Sequence, residues 1–336
     1  MSGNLSASIL ARLLSLAKQR GDDYSLLLNR FGMERLLARI SLSPHADRFL
    51  LKGALLFALW YDTSHRPTRD ADLLGFGPDD EANLITTFRD IAAMDLGDGI
   101  VFDPDSVKAD AIREDNTYGG TRITLVARIG SARCALQIDV GFGDAVTPGP
   151  QTAVYPILLP DFSAPTLRVY PVYTVIAEKY HAMVMLGQAN SRMKDFFDLG
   201  VIADRTELDG GTLAAAIGAT FTRRQTTLPI EPPLALTKQF SEDTAKLRQW
   251  QAFLNKNRIE AASLGDTVAL LHDLLWPPTQ VAAAGSQATA TWGPLVFSAI
   301  TGGTQTQHWR GGGVGRSLIL LAFLFTFKSG IRGVKP

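Results

Sequence analysis

A chain of 336 residues with 46 % apolar content can build a sizeable core and two ordinary domains, which excludes disorder or fibrous architecture for most of its length. Thirty-three Lys and Arg balance thirty-three Asp and Glu, so a histone-like binder driven by whole-protein charge is excluded and any anion must meet a local basic cluster. Cys134 is the single cysteine, which rules out an intrachain disulfide or a cysteine-rich zinc site and fits a reducing compartment; the expected address is the cytoplasm.

Leu5, Ile9, Leu13 and Leu16 recur at helical spacing after a candidate Asn4 cap, and Gly21 closes the pattern. Lys18 and Arg20 follow this apolar stretch, whereas a secretory signal carries its positive charge in front. A second helix is predicted from Tyr24 to Ile40, with Gly32 as its weak point. From Phe49 the texture becomes strand (FLL), turn (Lys52-Gly53-Ala54), helix (LLFALW) and strand (DADLLGF). Pro78, Asp79 and Asp80 open a helix reaching Met94. Strands are predicted over Val107–Arg113, Arg122–Arg128 and Cys134–Phe142, the last two joined by a hairpin at Ile129-Gly130-Ser131.

After the Pro-rich stretch 148–171 the pattern is helical, through TVIAEKYHAMVML, SRMKDFFDLGVIA, TLAAAIGATF, TKQFSEDTAKLRQWQAFL and LGDTVALLHDLLW. The predicted class is α+β: N-terminal helices over 1–48, a mixed β-sheet core over 49–170 and a C-terminal helical lobe over 171–280. Residues 281–336 contain no acidic side chain and are expected to be an appended or frame-altered, poorly ordered tail. The uncharged apolar run Ser317–Phe327 is about half the ~20 residues that span a bilayer, so no membrane partner is expected. GGGVGRS at 311–317 is not a phosphate-binding loop, because Arg310 and Arg316 replace the required Gly and Lys. The five histidines show no metal-ligand spacing.

The chemistry centres on KGALLFALWYDTSHRPTRDADLLGF. Residues two apart on a strand share a face, so Asp70 and Asp72 present adjacent carboxylates, which repel unless a cation lies between them. Hard oxygen ligands select Mg²⁺, with Mn²⁺ as a substitute. Lys52, Gly53 and Ala54 lie at a strand-to-helix junction whose free backbone N–H groups suit a triphosphate. Asp139 sits in the alternating strand ALQIDVGFG on the face opposite Leu136, Ile138 and Val140, and three carboxylates on adjoining strands can hold one or two metal ions.

Gly53-Ala54, Asp70-Ala71-Asp72, Asp139, Glu178-Lys179 and Arg192-Met193-Lys194-Asp195-Phe196-Phe197-Asp198-Leu199, in that order over residues 45–276, resemble the AbiEii/AbiGii toxin family, which includes the MenT-type toxins of the polymerase-β-like nucleotidyltransferase superfamily. The resemblance implies that Lys179 contacts the triphosphate, that Asp195 is an active-site acid, and that Arg192 and Lys194 contact phosphate or RNA. It implies a nucleotidyltransferase core, a nucleoside triphosphate donor, an RNA acceptor (a tRNA 3′ end) and a cognate antitoxin. Ala54 departs from the Gly or Ser usual in the family and leaves only a backbone donor. A protein or small-molecule hydroxyl is the alternative acceptor, and a catalytically idle module of the same fold is the alternative to an enzyme. For RNA binding, Arg223-Arg224 and Lys238, Lys246, Arg248, Lys256 and Arg258, with Trp250 and Phe253 for stacking, compete with a reading as an ordinary solvated surface.

Overall fold

In the computed structural model, which describes residues 2–61, 66–112, 119–285, 289–293, 296–300 and 306–309, two helices lead: α1 (Ser2–Arg20) and α2 (Tyr24–Leu42). The helix already starts at Ser2, so Asn4 is not its cap; Gly21 leaves it at φ +71°, and Asp23 caps α2 by accepting from the Leu26 N–H. Gly32 is a contact point rather than a weak one. A Cβ there would come within 3.3 Å of Leu136 Cδ2, so its absence lets α2 lie close on the sheet.

The chain continues as β1 (Phe49–Lys52), α3 (Leu56–Tyr61), β2 (Ala71–Gly75), α4 (Glu81–Ala93), β3 (Val101–Ile112), β4 (Gly120–Ile129), β5 (Ala132–Phe142), β6 (Gln151–Val154) and β7 (Thr166–Val169). These strands form one mixed sheet in the order β3-β4-β5-β2-β1-β7-β6, with β2/β5 and β1/β7 parallel and the other pairs antiparallel. β3 begins at Val101 rather than Val107; Pro104 and a register shift between Asp103 and Lys108 are tolerated because β3 is an outer strand. The short strands β6 and β7 lie in the Pro-rich stretch, where four-residue runs carry too little alternation to be read. One sheet face buries Leu51, Leu73, Leu136, Ile138 and Val140, with α2 and α4 packed against the sheet. The other face carries the polar residues.

Asp98, between α4 and β3, is 4 % exposed and accepts from Arg35 Nε at 2.8 Å and from Arg39 Nη1 and Nη2, each at 2.9 Å. Burial works against its ionisation, but the hydrogen bonds and charges of Arg39 and Arg35 prevail and hold it below the usual carboxylate range. Its stabilisation is therefore complete above the unfolded-state pKa and fades as pH falls through the depressed one. Asp98→Ala leaves two buried guanidinium groups without this partner and is expected to cost about 3 kcal/mol or more by urea denaturation at neutral pH. A loss within about 0.5 kcal/mol, the range of a surface change, would refute this.

The second half is helical, as expected: α5 (Val172–Leu186), α6 (Met193–Arg205), a two-residue strand β8 (Leu208–Asp209), α7 (Gly210–Arg223), α8 (Lys238–Ser241), α9 (Thr244–Asn257) and α10 (Leu264–Ala284). The single helix predicted over TKQFSEDTAKLRQWQAFL is split because the Asp243 carboxylate accepts from the Ala245 and Lys246 N–H groups and starts α9 afresh. α10 continues through Pro277-Pro278, beyond the predicted end at Trp276. Leu271, Leu274, Leu275, Pro278 and Thr279 are buried on it, the helix packs against α6 and α7, and the Thr279 hydroxyl donates to the Leu275 carbonyl at 2.6 Å. Beyond it, β9 (Thr289–Gly293), β10 (Val296–Ile300) and β11 (Thr306–Trp309) pair antiparallel in the order β11-β10-β9-β8. Strand pairing was not expected in this segment; 311–317 and 317–327 lie outside the described residues. Among the described residues no helix is long and apolar enough to cross a membrane.

Candidate active site

Sheet register builds the site. Lys52 on β1 lies opposite Asp72 on β2, Asp72 beside Asp139 on β5, and Asp139 opposite Arg122 on β4. Cross-strand partners share a face, so these four side chains form a row in the charge order plus, minus, minus, plus. Asp70 precedes β2 by one residue and joins the same face by strand alternation.

Directly after Lys52 the chain turns at Gly53, φ +72°, into a 3₁₀ turn (Gly53–Leu55) and then α3. Any Cβ at 53 would overlap Asp72 Oδ2 and lie 2.7 Å from its Cγ, so glycine is required both for the backbone conformation and for the approach of this carboxylate. The described part of α3 is six residues, so the turn's own N–H groups, more than a helix dipole, are what it offers an anion.

The carboxylates are unsettled by their surroundings. Burial first, then the charge of Asp139, pushes Asp70 above the usual carboxylate range. Burial pushes Asp72 up as well, with Asp139 adding to it against the opposing charges of Lys52, Lys194 and Lys179. Carboxyl groups displaced upward by burial and like charge are what a divalent cation would relieve, and two carboxylates are a sufficient protein donor set for Mg²⁺ when phosphates and water complete it. Asp70 and Asp72 fit that requirement. Asp139 differs: both its oxygens accept from Arg122, Nε to Oδ1 at 2.9 Å and Nη2 to Oδ2 at 2.8 Å. Among the described residues no three acidic, His or Cys side chains converge on one point where a metal could sit, so the expected three-acid cage is not assembled as the side chains stand.

The cations expected on the triphosphate are largely committed within the protein. Lys52 Nζ donates to Asp144 Oδ2 at 2.7 Å and lies 3.7 Å from Glu178 Oε2. Burial favours neutral Lys52, but Glu178 and Asp144 prevail and keep it charged. Lys179 Nζ donates to Asp195 Oδ1 at 2.6 Å and to Asp198 Oδ2 at 2.8 Å; Asp195 also accepts from Arg192 Nε at 2.8 Å, and Asp198 from Arg66 Nε at 2.8 Å and Nη2 at 3.0 Å. Asp195 and Asp198 are thus buried anchors for Lys179 and for the segment entering Asp70. Lys194 contrasts with these. It is exposed, its ammonium makes no hydrogen bond or ion pair among the described residues, and its charge is felt at both Asp70 and Asp72.

Arg223 and Arg224, weighed for RNA binding against a solvated surface, are used within the protein. Arg224 Nη2 donates to Asp144 Oδ1 at 3.0 Å, and Arg223 Nε donates to the Gly143 carbonyl, so the end of α7 clamps the loop after β5. Lys246 Nζ is buried on the Asn190 carbonyl at 2.8 Å, and Trp250 is buried with its indole N–H on the Ala262 carbonyl at 3.2 Å, so neither presents an RNA surface. His181, beside Arg224, is pushed down to about 4, by burial and then by the guanidinium charge, and stays neutral at physiological pH.

Arg66, Arg122 and Asp144 were missed by sequence reasoning, and Arg224 was weighed only for RNA. Arg122 had a usable signal: counting back from the two-residue turn Gly130-Ser131 places it opposite Asp139. Asp144 and Arg66 had none, since their partners are distant in sequence.

One protein-family profile, the nucleotidyl transferase AbiEii toxin of type IV toxin–antitoxin systems, matches residues 35–270. The chain belongs to the AbiEii family. It is accordingly a nucleotidyltransferase of the toxin–antitoxin type, with a nucleotide substrate and an antitoxin partner as family properties. No curated protein matches this AbiEii chain. Among solved structures, JHP933 from Helicobacter pylori aligns with a TM-score of 0.43 and 14 % identity over 78 % of this chain and 94 % of that one. A provisionally named nucleotidyltransferase from H. pylori aligns with a TM-score of 0.41 and 14 % identity over 78 % and 96 %. Both likenesses are too distant to carry an argument.

Proposed function

We propose that this AbiEii protein transfers a nucleotidyl group from a nucleoside triphosphate to an RNA hydroxyl, a tRNA 3′ end, in a reaction dependent on Mg²⁺ or Mn²⁺, in the cytoplasm. The observation that carries the reading is Asp72 beside Asp139 on parallel strands, with Gly53 folded against the Asp72 carboxylate. The choice of tRNA rests on the family resemblance alone. A divalent cation held by Asp70 and Asp72 would neutralise charge developing on the transferred phosphate and the departing pyrophosphate.

The protein's own groups do the rest by position and charge. The backbone N–H groups at Gly53 and Ala54 receive the triphosphate, with Lys52 and Lys179 at its border and Lys194 as the exposed ammonium facing it. Asp139 completes the acidic site or takes the proton of the attacking hydroxyl. Asp195 keeps Lys179 in place, and Arg192 lies at the rim toward the RNA phosphates. The acceptor hydroxyl gives up its proton, to Asp139 or to solvent, and its oxygen bonds to the α-phosphorus as the bond to pyrophosphate breaks. No protein nucleophile is needed.

Incubating the purified protein with each α-labelled ribonucleotide, total RNA and total cell protein, with Mg²⁺ or with EDTA, tests this. Label is expected in RNA of tRNA size, for a restricted set of nucleotides, and only with the metal. Label in protein or in small molecules would replace the acceptor, and transfer persisting in EDTA would remove the metal.

A further inference from the structure

Arg122 is a cation of the site row that the reading above leaves without a task. It reaches Asp139 from the neighbouring strand through a two-bond fork that uses both carboxylate oxygens. Unlike the buried pairs of Lys179 with Asp195 and Asp198, this pair is open: Arg122 is 42 % and Asp139 23 % exposed on their side chains. A guanidinium and a divalent cation compete for the same lone pairs. In the row Lys52, Asp72, Asp139, Arg122 each acid has a base beside it, Lys52 next to Asp72 and Arg122 next to Asp139, so a metal ion that takes Asp139 as a further ligand needs that base to withdraw. Lys52 cannot withdraw readily, being held by Asp144 in a largely buried position. Arg122 can.

We propose that Arg122 is a place-holder for a divalent cation on Asp139: the guanidinium neutralises the third carboxylate while the metal is absent and must be displaced when a metal ion engages it. Arg122 thereby sets the metal affinity of the site. This rests on the reading that the acidic row holds a divalent cation. Because the pair is solvent-exposed, its opposition is modest, on the order of a fivefold weakening of metal binding rather than a block.

Mn²⁺ alone, titrated into the full chain and followed by the electron paramagnetic resonance signal of the free ion, tests this without reference to turnover. Arg122→Ala is expected to bind Mn²⁺ about fivefold tighter than the parent, and Arg122→Lys, which keeps the charge but loses the fork, to fall between them. Repeating the comparison in an Asp139→Asn background separates competition for Asp139 from a general charge effect. There the Arg122→Ala effect is expected to vanish. Arg122→Gln serves in place of the alanine variant if circular dichroism shows that the latter misfolds. Equal affinity in parent and Arg122 variants, or the same tightening with Asn at 139, overturns the proposal while leaving nucleotidyl transfer standing. Absence of Mn²⁺ binding in every form overturns it together with the metal part of the proposed function.

Discussion

Asp72→Asn is expected to reduce nucleotidyl transfer by about a thousandfold or more while leaving the melting temperature equal to or above that of the parent. The loss follows from the role proposed for the carboxylate: an amide carries no charge for a divalent cation. The gain in stability follows from its folded environment. Burial and Asp139 raise the Asp72 pKa in the native state, and a carboxyl with a raised folded pKa contributes stability that is present below its unfolded value and lost as pH rises through the folded one. At neutral pH the ionised group is therefore a native-state cost, which Asn removes. Lys52 keeps its Asp144 partner at 2.7 Å, so the change strands no ammonium. Melting curves at pH 7.5 and at pH 3.5, together with the labelling assay, check both halves. The stability difference should shrink at the lower pH, and full activity in Asp72→Asn would remove the catalytic assignment. Asp70→Asn is expected to lose activity likewise.

Gly53→Ala is expected to lower transfer about a hundredfold and to cost about 1–3 kcal/mol of stability. Two effects add. The residue sits at φ +72°, where a Cβ is strained, and that Cβ would occupy the space of the Asp72 carboxylate. Asp72 must turn away, which takes out of the row an oxygen proposed to hold the metal. Gly21 supplies the control: its φ is +71°, yet nothing lies within 4 Å of a Cβ built there. Gly21→Ala should show the conformational cost without the loss of transfer. If the two variants lose activity equally, the close approach of Asp72 is not what glycine at 53 protects.

Much of this was legible before any coordinates. The helix start at Asp80, the alternation of Leu136, Ile138 and Val140 against Gln137 and Asp139, and the two-residue spacing of Asp70 and Asp72 are local signals, and the structure contains each corresponding element. The helix through Pro277-Pro278 was not legible, because burial of Pro278 and Thr279 against distant elements overrode poor local propensity, and the four-residue strands of the Pro-rich stretch, β6 being largely exposed, carry too little alternation to be read. Site placement divides in the same way. Asp72 and Asp139 share a face by alternation, but their adjacency depends on β2 pairing parallel to β5, a choice made by the whole sheet.

The residue pattern by itself determined the acidic side chains, the glycine turn and the longer α and β elements in their order, since these follow from periods of two and of about 3.6 residues and from backbone freedom at one position. Tertiary structure alone decided which charges face one another: Lys52 with Asp144, Lys179 with Asp195 and Asp198, Arg224 with Asp144, Arg66 with Asp198. An ion pair falls off with distance in space and ignores distance along the chain, so a lysine that reads as free for phosphate becomes an internal strut once folding brings a carboxylate within 3 Å.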